Sequence, residues 1–264
     1  MNLIEIFGTI IKPIICKGKF MFAPINNEKI GENIYALRDK DVNVFIYKKE
    51  NNIIAIDCGY KNSKNINKSL DYFGIFENDV SHIFITHLDL DHSGGIDIRC
   101  KRVFKNAKIY IGNIEKGYCE NKLYRKNIGF IGLKSPIKIN DYNTLENMQI
   151  EYVGNIKIQA ILTAGHTLGH LCYLIDDKYL FTGDSLILVK GKGYCFYNQW
   201  NINSKLNMES LEKLKILNGI KLIITSHTGY TDNIEEAFSK INMLPNWKEK
   251  DFKVNENAEY NPYK

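Results

Sequence analysis

The chain has 264 residues, 44% of them hydrophobic and 25% charged, with 19 Gly and only 5 Pro. This is ordinary globular usage and excludes collagen-like, low-complexity and disordered classes. Lys and Arg number 35 against 30 Asp and Glu, a net charge of +5 with no concentrated basic block, so a nucleic-acid partner is not expected.

The opening MNLIEIFGTIIKPIIC is apolar but carries Glu5 and Lys12-Pro13. It lacks a basic leader and a small-residue cleavage site, which argues against a signal peptide. No run approaches the ~18 uncharged apolar residues of a membrane span, so no membrane partner is expected. The six cysteines, at 16, 58, 100, 119, 172 and 195, include no C-x-x-C pair. A chain of this size needs no disulfide staples, which predicts reduced thiols and a cytoplasmic location.

Residues 32–38, 42–48 and 52–59 read as three successive strands, with a turn at Asp39–Asp41. Ile66, Leu70 and Phe73 have helical spacing, predicting a helix over 63–73 capped by Ser63 and stopped by Gly74. SHIFITH (81–87) and KIYIG (108–112) follow as strands, and 113–150 shows no clear period. Strands are then expected at 156–163, 170–175, 178–184 and 221–227, with helices at 207–218 and 233–242. Residues from about 248 read as a polar tail. Early strands together, then strands alternating with helices, predict an α/β or α+β sandwich with helices covering the sheets.

The chemistry concentrates at strand ends. His87, Asp89, Asp91 and His92 lie in THLDLDHSGG (86–95), directly after an apolar strand. Loops at strand ends are where open α/β sheets place ligands and catalysts. An extended chain would point residues 87, 89 and 91 one way, with His92 following as the chain turns. Gly94-Gly95 would permit a sharp bend beneath them. Three further segments repeat the form, each an apolar strand followed by a His or Asp. They are AGHTLGH (164–170) with His166 and His170, FTGDS (181–185) with Asp184, and ITSHTG (224–229) with His227. One four-residue cluster and three repeats of one strand-end form predict a metal centre. Tyr194, Phe196, Tyr197 and Trp200 follow Asp184 closely and are candidates to shape a substrate pocket, with Lys190 and Lys192 as possible partners of an anionic group. His82, at the start of its strand, is expected outside the centre, and Cys58 is expected to be a small buried hydrophobe.

On HLDLDH (87–92), His166, Asp184 and His227, with Asp57 in AIDCG matching a D-x-G, the sequence resembles the metallo-β-lactamase-fold superfamily. The likeness runs over about residues 33–245, and the hallmark H-x-H-x-D-H appears as an H-x-D-x-D-H variant. FTGDSLILVKGKG is similar to the corresponding stretch of glyoxalase II-like hydrolases. The resemblance implies a four-layered αβ/βα sandwich in one domain, two mixed sheets packed face to face with helices outside. It also implies two divalent ions. His87, Asp89 and His166 would hold one, Asp91, His92 and His227 the other, and Asp184 would bridge them. The implied reaction is hydrolysis of an ester, thioester, lactone or amide of a small molecule by a metal-bound hydroxide that Asp91 orients. Asp57 and His170 would fix the ligating histidines. Zinc is the implied metal. Asp89, a carboxylate where the hallmark has His, would balance the charge of two ions and shift preference toward manganese or iron. On the same scaffold, iron-dependent redox chemistry, a non-catalytic metal or ligand sensor and a nuclease are the alternatives. Substrate, native metal and oligomeric state are not legible.

Overall fold

In a computed structural model of the chain, residues 3–16, 21–128 and 131–245 are described. The predicted polar tail lies outside the described residues. Two mixed sheets carry the architecture. The first runs Glu28–Lys29, Ile34–Asp39, Val42–Lys49, Asn52–Ile56, His82–Phe84, Lys108–Gly112 and Tyr142–Leu145. The second runs Ile150–Val153, Ile156–Leu162, Leu171–Ile175, Tyr179–Phe181, Leu222–Thr225 and Gly229–Thr231. Among the described residues no helix is long and apolar enough to cross a membrane.

Alternation builds the layers. In Val42–Lys49, Phe45 and Tyr47 face the second sheet, while Val44 and Ile46 pack on the opposite side. The inter-sheet core is closed by aromatic contacts, Phe45 on Phe181 at 5.5 Å and Phe84 edge-on to Tyr173 at 5.6 Å. Outside the first sheet, helix Asn65–Phe73 buries Ile66 and Leu70 and ends on Gly74 at φ +65°. Outside the second, helix Ser204–Leu214 buries Leu211 and Leu214. The result is the expected α/β sandwich, helices outside two facing sheets.

Some boundaries differ from the sequence reading. The helix expected at 207–218 begins at Ser204, because Asn203 Oδ1 accepts from Leu206 N at 3.0 Å and caps it early. The one expected at 233–242 shortens to Ile234–Ala237. The unperiodic stretch 113–150 supplies Tyr142–Leu145, the edge strand of the first sheet, and the start of Ile150–Val153. An edge strand of four residues is too short to show a period.

Candidate metal centre

Parallel pairing brings the candidate residues to one edge. Asn52–Ile56 runs parallel to His82–Phe84, and Tyr179–Phe181 parallel to Leu222–Thr225. Asp57, His87, Asp184 and His227 therefore leave their strands at carboxyl ends. Ile156–Leu162, two antiparallel steps from Tyr179–Phe181, shares that direction and delivers His166.

The seven candidate donors form two groups that share Asp184. In the first, His87 Nε2 lies 3.1 Å from His166 Nε2 and 3.5 Å from Asp89 Oδ2, and His166 Nε2 is 3.2 Å from Asp89 Oδ2. Asp184 Oδ2 faces this group, 3.5 Å from His166 Nε2 and 3.9 Å from His87 Nε2. In the second, His92 Nε2 lies 3.3 Å from His227 Nε2, and Asp91 Oδ2 is 3.3 Å from His227 Nε2 and 3.6 Å from His92 Nε2. Asp184 Oδ1 faces that group, 3.3 Å from both rings. One carboxylate thus presents one oxygen to each half.

The loop reaches this arrangement by a different route from the one expected. Asp89 is the extended N-cap, and Asp91 and His92 sit on the helical turn Leu90–Ser93. Gly94 has φ −58°, so it makes no left-handed bend. What the glycines allow is close approach, since a Cβ on Gly95 would lie 2.4 Å from the Cys58 carbonyl oxygen.

Hydrogen bonds fix the rings. His92 Nδ1 meets Asp57 Oδ2 at 2.7 Å, and His227 Nδ1 meets the Asp41 carbonyl at 2.5 Å. His87 Nδ1 meets Thr86 Oγ1 at 3.0 Å, and that hydroxyl already donates to Asp57. His166 Nδ1 faces Asn201 Oδ1 at 3.3 Å. Each Nδ1 therefore donates to an acceptor, which turns four Nε2 atoms toward the shared centre. Two such atoms at 3.1–3.3 Å repel unless a proton or another cation lies between them. Asp184 Oδ1 is buried without a hydrogen-bond partner. The donor set therefore fits a divalent cation in each half.

Protein cations also reach the cluster. Lys12, from the N-terminal helix, is buried and hydrogen-bonds Asp91, with Asp41 3.9 Å away. Burial alone would depress its ammonium, but Asp91, Asp41 and Asp184 more than reverse this and hold it charged. Arg125 donates through Nε and an Nη to the two oxygens of Asp89 at 2.6 and 2.7 Å, and the same Nη lies 3.0 Å from His166 Nε2. Burial opposes ionisation of Asp89, and the guanidinium overcomes it. The charge balance read from the sequence counted carboxylates alone and omitted these two cations.

The family model for the metallo-beta-lactamase superfamily matches residues 37–227. The chain belongs to the metallo-β-lactamase superfamily. It is 35% identical over 104 residues to a hydroxyacylglutathione hydrolase of Shewanella halifaxensis, covering 39% of this chain and 33% of that protein. It is 29% identical over 119 residues to a probable polyketide biosynthesis zinc-dependent hydrolase, PksB, of Bacillus subtilis, covering 45% and 44%. The chain thus spans between a third and a half of these relatives' lengths. Among solved structures, an archaeal superfamily protein from Sulfolobus tokodaii superposes with a TM-score of 0.59 at 21% identity, covering 86% of this chain and 91% of that one. A B3 metallo-β-lactamase described as having an active-site glutamic acid gives 0.61 at 16% identity, covering 84% and 87%. These structural likenesses establish the fold.

In this superfamily member Asp57 sits at φ +61° and accepts from Thr86 N at 2.8 Å as well as from His92. His170 supports the cluster mainly through Asp184. Its Nε2 accepts from Asp184 N at 3.1 Å and its Nδ1 meets Thr163 Oγ1 at 2.8 Å, so it seats the Asp184 backbone, and its ring packs 5.0 Å from that of His87. Of the aromatics, Phe196 lies edge-on to His166 at 4.8 Å. Tyr197 is buried beside it and donates to the Met21 carbonyl at 2.9 Å. Trp200 lies at the rim, its ring 5.8 Å from the Lys12 ammonium. Tyr194 packs against the cluster of Phe22, Phe196 and Tyr197, its ring 5.8 Å from the Lys240 ammonium. Lys190 and Lys192 are exposed in the hairpin Leu186–Cys195. His82 is half-buried on Ser81 Oγ at 2.8 Å, and Cys58 is buried.

Sequence reasoning missed Lys12, Arg125, Phe22 and Glu115. Phe22 stacks on His227 at 4.1 Å. Glu115 accepts from Leu88 N at 2.9 Å and from the Thr167 hydroxyl, tying the Asp89 loop to the His166 loop, and burial pushes its carboxyl up to about 7. Lys12 carried one signal, a lone cation within an apolar helical run.

Proposed function

We propose that this protein is a metal-dependent hydrolase, built on one domain over about residues 33–245, that cleaves an ester, thioester, lactone or amide of a small molecule. The observation carrying this reading is Asp184, whose two oxygens face two separate groups of nitrogen and oxygen donors. His87, Asp89 and His166 would hold one divalent ion and Asp91, His92 and His227 a second, with Asp184 between them and zinc the metal of choice. When bound, the ions would polarise the scissile carbonyl and acidify water near neutral pH.

The chain's own residues define the remaining roles. Burial would raise Asp91, and Lys12, His92 and His227 more than reverse this, so Asp91 stays ionised. As a carboxylate it can orient a water, and it stores no proton itself. Phe196 limits water beside His166, and Trp200 and Lys12 border the approach. The names of the two hydrolase relatives support the reaction class. The test is to load the protein with defined metals and screen ester, thioester, lactone and amide substrates. Asp184→Ala should lower turnover at least about a thousandfold. Turnover unchanged by that substitution contradicts the reading.

A further inference from the structure

The N-terminal helix is turned inside out. Leu3–Ile6 and Lys12–Ile15 are α-helical and joined by the π-helical turn Phe7–Ile11. Its charged side chains are buried. Glu5 pairs with Lys61 at 2.7 Å and Arg99 at 3.1 Å, and Lys12 enters the carboxylate cluster. Gly8 lies so close to the Leu90–Ser93 turn that a Cβ there would be 2.6 Å from Leu90 Cδ1. Five apolar side chains face outward, while Pro13 and Cys16 are buried. Phe7, Ile10, Ile11, Ile14 and Ile15 are 40–64% exposed. Their spacing is the stripe that a surface helix ordinarily presents to the core. Here ion pairs hold the polar face inward, and the apolar stripe is left facing out.

We propose that this helix is an interfacial anchor that seats the protein on an anionic lipid bilayer. Charge selects the occupant. Glu5 is the sole acidic residue among the first 27, and its carboxylate is already paired inside the fold, while Lys17 and Lys19 follow the helix in sequence. An apolar helix face followed in sequence by basic residues, with its one acidic residue turned inward, gains from insertion at the headgroup boundary and from attraction to anionic lipid. Area argues against a second copy. Five side chains offer a few hundred Å², whereas a stable dimer buries roughly 800 Å² per partner. The absence of a spanning segment does not bear on this, because an interfacial helix lies in the membrane plane. Phe7 is 6.3 Å from Trp200, whose carbonyl accepts from Arg125 at 3.2 Å, so the stripe adjoins the rim of the donor cluster. The proposal stands apart from the hydrolase reading and needs no turnover.

The experiment is flotation of the full chain with phosphatidylcholine vesicles, with and without phosphatidylglycerol. The protein should float with the anionic vesicles and at least about tenfold less with the neutral ones. The double substitution Ile14→Asn, Ile15→Asn changes exposed positions and should leave the melting temperature in place while lowering flotation about tenfold or more. The proposal is overturned by equal partition onto both vesicle types, by no flotation at all, or by a double variant that floats like the parent. A concentration-dependent dimer in sedimentation that the double variant dissolves also overturns it, in favour of a second copy.

Discussion

The two halves of the donor cluster are assembled from the same residue types but satisfied differently. Around His87 and His166 burial keeps both rings neutral, with His87 pushed down to about 3. Their carboxylate, Asp89, is 26% exposed at the side chain and fully engaged by Arg125. Around His92 and His227 burial acts in the same direction, but Asp184 and Asp91 reverse it, and His227 is pushed up to about 9. The second half is therefore a deeper, more negative hole that draws a cation, even if only a proton. Each half already carries one protein cation, Arg125 on Asp89 and Lys12 on Asp91, but only the second adds Asp57 behind His92 and Asp41 beside the ammonium. Charge rather than ligand count separates the two.

The largest expected effect breaks the comparison outright. His227→Ala and His166→Ala each remove one ring, yet the former should weaken metal retention against a chelator at least about tenfold more. Equal losses would mean that the carboxylate surroundings do not set affinity. Asp57→Asn sharpens the point, because it leaves every donor in place and removes only the charge behind His92. Metal affinity should fall about 10–100-fold with secondary structure retained, and an unchanged titration would leave Asp57 without its assigned role. Arg125→Gln tests the first half. Removing the guanidinium should tighten metal binding there several-fold, seen as a stronger first-half phase in a titration, and a weaker phase would show that Arg125 assists the site.

The smallest effect is a pH profile of the chelated protein. An unfolded histidine titrates near 6.5, and folded His227 near about 9, so the folded chain binds more protons between those values. That stabilisation is complete below pH 6.5 and lost as pH rises toward 9. His87, pushed down to about 3, contributes stability above pH 6.5 that is lost as pH falls. The melting temperature without metal should therefore peak near pH 6.5 and fall by a few degrees toward pH 9. With metal in place of the proton, the alkaline decline should vanish. A flat profile in chelator contradicts the assigned shifts.

The sheets and the donor cluster were legible because each depends on local pattern. Apolar runs such as IKIQAILT and KLIITSH end in small residues and then a ligand-type side chain, and parallel pairing does the rest. The supporting contacts were not legible. Lys12 meets Asp91 across 79 positions and Arg125 meets Asp89 across 36. No spacing rule links residues so far apart, and 125 falls in a stretch with no period. His170 was found for its residue type, but its bond to the Asp184 backbone N–H was not legible, since only geometry shows which group such a ring holds. The helix carrying Lys12 was read as an apolar run, and which of its faces turns inward is settled by ion pairs formed with distant residues.

The central claim is that Asp184 joins two cation-binding halves. Elemental analysis of the reconstituted full chain, beside its Asp184→Ala variant, tests it most directly. The account predicts two divalent ions per parent chain and at most one in the variant. A parent that holds none, or a variant that holds as many as the parent, contradicts it.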